Sequence, residues 1–358
     1  MRQNGGFCVD KKKNITISDI AAAAAVSKAT VSRYLNGNYG PMSAETRERI
    51  ARVIEMSGYQ PNSFARSLKG HSSRLIGLVV ADISSPFTSS MIRGVTHVLY
   101  DNGYTPLIAD CRDSPEVESS VLDTMKSHNA DGLIVNTSSF DNKKLIQMEC
   151  AGMPVVLCDR YVKDYRFSFV GISHRQPILD TIAHLKEQGF GLVAYFTQPY
   201  DQNSARMSRR KAFYDGMKVH YPQLEPAELE FLIDVSDRSR TEAAVRRVLE
   251  YGKGRGIPAI IACNTTTLLH VVSTLIQLKV SIPWEVGICG PDDWGFSQSI
   301  SWTSLISPSL TTFHVNSYQL GCMAAELMLK KIGDPDIPKK DQIIPSVLDI
   351  SESTLLKR

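Results

Sequence analysis

The sequence predicts a small all-α head followed by an α/β body of two doubly wound lobes. Residues 1–60 carry short, well-capped helix signals and no strand-like run. Beyond residue 74, apolar runs of strand length alternate with amphipathic segments of helix length, the pattern of parallel sheet covered on both faces. These runs are too numerous for one small sheet, so two lobes facing a cleft is the economical arrangement. At 358 residues the chain is too long for one ordinary domain, and 43% hydrophobic residues supply a large core. A charged fraction of 22% excludes a disordered or fibrous chain.

The head reads in order. Thr16 or Ser18 caps a helix through Asp19 to Ala24, and Ala25-Val26-Ser27 makes a tight turn. Ser27 caps a second helix, Lys28 to Leu35, which the tract Asn36-Gly37-Asn38-Tyr39-Gly40-Pro41 cannot continue. Ser43 caps a third helix with Glu45 in its first turn; Ile50, Val53 and Ile54 recur at helical spacing, and Gly58 suits the stop. Pro61 then breaks the chain before a short segment, Asn62 to Lys69, too short to be a stable helix alone. Expected strands follow at 75–81, 104–110, 131–136, 154–159, 191–196, 258–263 and 285–290, with a helix from about Pro86 to Asp101. The expected division is a head at 1–60, a hinge and linker at 61–73, and a body at 74–350.

Charge separates the parts more sharply than the formal net charge of +3 suggests. Residues 1–75 hold 12 Lys and Arg against 5 Asp and Glu, leaving 28 against 32 for the rest. A basic head on a slightly acidic body points to a polyanion partner, the bland alternative being a solvated basic tail. Seven cysteines (Cys8, Cys111, Cys150, Cys158, Cys263, Cys289, Cys322) without CxxC spacing argue for reduced thiols in a cytoplasm, against disulfides and a zinc site. The opening MRQNGGFCVDKKKN lacks the apolar core of a secretory signal, and no run is long enough to span a bilayer. The eight histidines are scattered and no nucleophile elbow, phosphate loop or HExxH is present, so no enzyme, metal or cofactor is expected.

The second helix carries the functional signal. Val31 and Leu35 share its core face, while Lys28, Ala29, Ser32, Arg33 and Asn36 occupy the other side. A helix laid in the major groove by its N-terminal end presents such a set to base edges. Arg33 can donate two bonds to guanine, Lys28 does so with less geometric precision, and Ala29 can touch a thymine methyl. Ser27, Ser32, Asn36, Tyr59 and Asn62 suit phosphate contacts.

Ile15 to Ala21 and Val26 to Asn36 resemble the helix-turn-helix of the lactose-repressor (LacI/GalR) family. The resemblance continues through Ser43-Ala44-Glu45-Thr46-Arg47, Tyr59-Gln60-Pro61-Asn62 and Ala65-Arg66-Ser67-Leu68, and the body resembles that family's periplasmic-binding-protein-like core. The resemblance implies a homodimer reading a pseudo-palindromic stretch of double-stranded operator DNA. It also implies that the hinge segment orders on DNA, pairs with its dimer mate and inserts Leu68 into the minor groove. Ala65 is small enough for two hinge helices to touch, and Arg66 and Lys69 can meet phosphates. Leu348 to Arg358 is too short for a leucine-heptad tetramerisation helix, so a dimer is expected.

Strand ends supply the effector candidates. Ser85-Pro86-Phe87 matches a family loop that packs an aromatic ring on the ligand. Asp159, Arg160, Asn264 and Asp292 follow strands, and Arg209 matches the family's Arg-x-x-Gly-Phe segment with Ala212 in place of the glycine. Such carboxylates, amides and arginines suit a sugar or sugar acid; singly, each also reads as an ordinary strand-end or cap residue. Asn264-Thr265 and Gly290-Pro291-Asp292 depart from the family's commoner Asn-Asp and Gly-Tyr/Phe-Asp. Asp292-Asp293-Trp294, with Asn36-Gly37 and Met42 to Thr46, is similar to a subgroup regulating use of sugar acids such as 2-keto-3-deoxygluconate. The expected function is a repressor of a carbohydrate or sugar-acid operon, released from its operator by a small molecule. The alternatives are a regulator using a purine-like corepressor and a transport-type sugar-binding protein, which would need export.

Overall fold

The computed structural model describes residues 15–35, 37–40, 42–58, 72–292 and 302–357. The chain divides into two compact units, residues 1–73 and 74–358.

In the first unit, α1 (Ile17–Ala23) begins at a capping box, where Thr16 and Asp19 satisfy each other's backbone N–H groups. The turn places Ala25 at φ 51, a left-handed conformation that costs a residue with a Cβ. Then α2 (Lys28–Leu35) starts on Ser27, whose Oγ accepts the Thr30 N–H at 3.1 Å. Ser43 caps α3 (Ala44–Ser57), and Gly58 ends it in the left-handed conformation. Ile20, Ala21, Ala24, Val31 and Ile50 form the buried centre. Arg49 locks α3 to the end of α1 by donating from Nε to the Ala24 carbonyl at 2.9 Å. Thr16 rather than Ser18 is thus the first cap, because only its hydroxyl faces the Asp19 N–H.

The second unit contains two six-stranded sheets built on one plan. The first holds β1 (Leu75–Val80), β2 (Thr105–Asp110), β3 (Gly132–Val135), β4 (Val155–Cys158), β5 (Ser168–Ile172) and β11 (Asp341–Ile344). Its order is β11-β5-β4-β3-β1-β2, all parallel. The second holds β6 (Leu192–Thr197), β7 (Glu230–Leu232), β8 (Pro258–Ala262), β9 (Gly287–Asp292), β10 (Thr311–His314) and β12 (Val347–Asp349), in order β12-β10-β9-β8-β6-β7. Only β12 runs antiparallel to its neighbour. In both sheets strand order reverses beside the first strand, β1 or β6, and crevices form beyond strand C-termini at such points.

Intervening helices cover the sheets: α4 (Pro86–Asp101), α5 (Pro115–Ser127) and α6 (Lys143–Cys150) in the first lobe, α7 (Arg175–Gln188), α8 (Ser204–His220), α9 (Arg238–Gly252) and α10 (Thr265–Leu278) in the second. The helix α11 (Ser317–Gly333) returns to pack on α4 and the first sheet. Gly94 and Gly321 make that packing possible: a Cβ on either would fall 2.1 Å from a backbone oxygen of the facing helix. The chain crosses between lobes after β5, after β10 and between β11 and β12. The crossings are tied together, Ser173 N–H to Ile344 O at 2.9 Å and Ser346 Oγ to His314 O at 2.7 Å.

The seven anticipated strands are present, and β5, β7, β10, β11 and β12 join them. Some of these are short, and β10 and β11 open on polar residues, so long-range pairing defines them more than apolarity. The body also runs on past residue 350. Ser353 donates to Ile288 O at 2.6 Å, and Thr354 meets Thr311 hydroxyl to hydroxyl at 2.6 Å.

Candidate effector site and nucleic-acid interface

On α2 the periodicity is realised. Val31 is buried, Leu35 is half-buried against the core, and Lys28, Ala29 and Arg33 are exposed along the opposite side with Ser27 at the helix start. Ser32 is half-buried. The Arg33 Nε reaches Ala29 O at a long 3.4 Å, which leaves the guanidinium available to a base. Arg47 stacks over Tyr39 at 4.3 Å, an aromatic–cation pair that sequence reasoning did not single out. Asn36, Tyr59, Asn62, Ala65, Arg66, Leu68 and Lys69 lie outside the described residues.

In the body, Ser85, Phe87, Asp159, Arg160, Arg209 and Asn264 line one cavity of about 200 Å³. Both sheets contribute at their reversal points: Asp82 and Asn136 follow β1 and β3, and Gln198 and Asn264 follow β6 and β8. Ser85 opens α4 without a side-chain cap bond, so its hydroxyl is not committed to the helix. Asn264 is committed: Oδ1 accepts the Thr267 N–H at 2.8 Å and Nδ2 donates to Gln198 Oε1 at 2.7 Å. Asp292 is the anticipated residue that does not line this cavity. It ends β9 in register with His314 at a lobe crossing and accepts from Trp302 Nε1 at 2.9 Å.

The electrostatics of the cavity are those of buried, incompletely paired groups. The Asp159 Oδ1 lies 2.9 Å from His174 Nε2, in the first lobe crossing, yet the alignment is not that of a hydrogen bond and both atoms are buried. Burial would raise the Asp159 carboxyl, but His174, Arg209 and Arg160 together hold it below the ordinary carboxylate range. Burial, joined by the Arg209 charge, lowers His174 and keeps its ring neutral at physiological pH. Arg209 donates from Nη1 to Cys263 O at 3.1 Å while its buried Nε has no partner. Arg160 donates to Asp113 Oδ1 at 2.7 Å and Thr137 O at 3.1 Å. Arg206, across the cleft, donates to Pro199 O and Gln198 Oε1 and stands 3.7 Å from Asp113 Oδ2. Burial raises the Asp113 carboxyl too, but the Arg160 and Arg206 guanidiniums pull it below its usual value, so it is an anion.

Asp82, Asp113, Asn136, Gln198 and Arg206 were not singled out from sequence. All but Arg206 fall just after strand C-termini, where the rule that found Asp159 also applies. Arg206 stands one turn before Arg209, in the same segment.

A helix-turn-helix unit with an exposed basic helix face, in one chain with a two-lobed α/β body enclosing a polar cavity, is the architecture of a ligand-responsive DNA-binding protein. Residues 16–62 match the model of bacterial regulatory proteins of the lacI family, and residues 182–354 match the periplasmic binding protein-like domain. The HTH-type transcriptional regulator KdgR of Bacillus subtilis is 32% identical over 346 residues, covering 94% of this chain and 98% of that protein. The ribose operon repressor of Halalkalibacterium halodurans is 30% identical over 343 residues, covering 95% and 97%. The crystal structure of the lac repressor dimer bound to operator and an anti-inducer superposes with a TM-score of 0.78 at 22% identity, covering 96% of this chain and all of that one, which shows the shared fold. The chain belongs to the LacI family of bacterial regulatory proteins: it is a DNA-binding transcriptional regulator with a ligand-binding domain. Among the described residues, no helix is long and apolar enough to cross a membrane.

Proposed function

We propose that the protein is a homodimeric repressor of a sugar or sugar-acid utilisation operon, released from its operator when an effector occupies the cleft. The observation that carries this reading is the cavity itself. Side chains from both lobes surround a space of monosaccharide size, with Arg209 Nε buried and unpaired beside it and Asp159 Oδ1 facing only His174. Unpaired buried polar atoms are costly, and a ligand rich in hydroxyls would satisfy them. Phe87 is the sole ring lining the cavity among the described residues, which favours a polyhydroxylated ligand over a purine. The relatives' names, a ribose operon repressor among them, support the operon class, and the Asp292-Asp293-Trp294 resemblance supports a sugar acid.

A dimer is supported by the first lobe's free edge. Exposed Ile108 lies on the edge strand β2, and exposed Ile83, Tyr100 and Val117 lie on the segments next to it in the chain, apolar surface that favours pairing. Two heads are also needed to read a pseudo-palindrome. Coupling follows from linkage: an effector shifts DNA affinity only by its preference between body conformations. His174, beside Asp159 and in the first lobe crossing, supports a route from the cavity to the segments that join the lobes.

The test is an operator titration with sugars, sugar acids and purines, alongside thermal unfolding. A ligand at 100 times its Kd stabilises by about 2.7 kcal/mol. The reading expects one sugar or sugar acid to stabilise the protein and weaken operator binding. A purine acting instead, or no ligand acting, overturns it.

A further inference from the structure

Guanidinium N–H groups are left over in the cavity. Arg160 uses only Nη1, Arg206 leaves Nε unbonded, and Arg209 Nε is buried without a partner. Two guanidiniums from opposite lobes share the single carboxylate of Asp113. Arg160 holds it at 2.7 Å, but Arg206 at 3.7 Å is beyond hydrogen-bond reach, so that half of the bridge is loose. The arginine side chains are 11% and 14% exposed against 38% for Asp113, so the cations are the more desolvated partners of this contact.

Position adds a second argument. Asp113 and Arg206, with Asp82, Gln198, Asn203 and Val235, line both the inner cavity and an outer recess of about 730 Å³, whereas Arg160 lines the inner cavity alone. The pair therefore stands in the doorway between the chambers. Arg112 and Asp113 both adopt left-handed backbone, φ 54 and 52, so the loop holds this carboxylate in place against local preference.

We propose that Asp113 is a built-in anion occupying the place of an effector's acid group: a carboxylate-bearing ligand parts the Asp113–Arg206 contact, enters, and is received between Arg160 and Arg206. Arg160 and Arg206 thereby select sugar acids over neutral sugars, Asp113 sets how readily the acid enters, and the ligand carboxylate, bound to an arginine from each lobe, draws the cleft closed. The inference rests on the cleft being the effector site. Other charged groups at the doorway are Asp82, whose Oδ1 is taken by Ser84, and Asp201, Asp234 and Arg240 on the outer side.

The experiment is calorimetric titration of the full-length protein with D-gluconate and 2-keto-D-gluconate, against D-glucose and D-fructose, with circular dichroism to verify that each variant is folded. Wild type is expected to bind an acid more tightly than the neutral sugars. Asp113→Asn removes the competing anion and should tighten acid binding by roughly three- to tenfold without a matching gain for neutral sugars. Arg206→Gln should weaken acid binding by about tenfold or more. Weaker acid binding by Asp113→Asn overturns the inference, as does a wild type that prefers the neutral sugars or binds neither acid. Arg209→Ala separates the two readings: if it leaves every titration unchanged, the cleft assignment itself fails, whereas loss of binding with the wrong acid-to-neutral preference sinks only the role of Asp113.

Discussion

The exposed face of α2 and the cleft of the body differ in how their side chains are held. Lys28, Ala29 and Arg33 stand exposed on a helix whose core contact is made by other residues. Asp159 and Arg209 are themselves buried and share neighbours from both lobes. The first site is a surface that a rigid helix displays, so one residue can change without disturbing the rest. The second is a network in which each group compensates another, so one change alters several pKa values and contacts together. The difference sets what mutation should do in each place.

The largest effect should come from Arg209→Ala. Removing a buried charged donor beside Asp159 should cost about 2–5 kcal/mol of effector binding, with operator affinity in the absence of ligand little changed. An operator titration with the identified effector measures it, and a wild-type response would show that the cleft does not depend on this network.

Next is Gly321→Ala. Its Cβ would meet Met91 O, so α11 must move off α4 at a cost of about 3 kcal/mol. The loss should appear in unfolding of the body, with melting of the head unchanged. A shared loss would contradict the separateness of the two units.

Arg33→Ala should weaken specific operator binding by about 1–3 kcal/mol and relax one base position per half-site, without altering the melting temperature. Retained sequence preference on a randomised operator library would remove Arg33 from the reading face.

Acid should destabilise the body. An unfolded chain takes up a proton on histidine near 6.5, but folded His174 does so only at lower pH, so stability falls as pH drops below 6.5. Asp113 and Asp159, held below 3.8, extend the loss at lower pH, where their charged-state stabilisation disappears. The slope contributed by His174 is at most about 1.4 kcal/mol per pH unit. Its substitution by Gln should flatten the upper part of the body's profile in thermal melts.

The smallest effect belongs to the head's turn. Ala25→Gly relieves the left-handed strain at φ 51 and should stabilise the head by about 0.5–1 kcal/mol. A destabilised head would mean that the alanine side chain, not the backbone, governs this turn.

What the sequence by itself determined was whatever depends on near neighbours. Ser27 and Ser43 as caps, Gly58 as a stop, the opposite faces of Val31 and Arg33, and the long apolar strands all follow from spacings within one helical turn or one pleat. The tertiary structure alone decided matters of distant pairing. It made strands of β10 and β11, which open on polar residues but find partners across a sheet. It placed Asp292 at a lobe crossing rather than in the cavity lining, and brought Asp113 from one lobe to Arg206 of the other. Burial, not residue type, then fixed their chemistry. A carboxylate after a strand is an ordinary surface group until a second lobe excludes water from it, and no local pattern records which lobe that is.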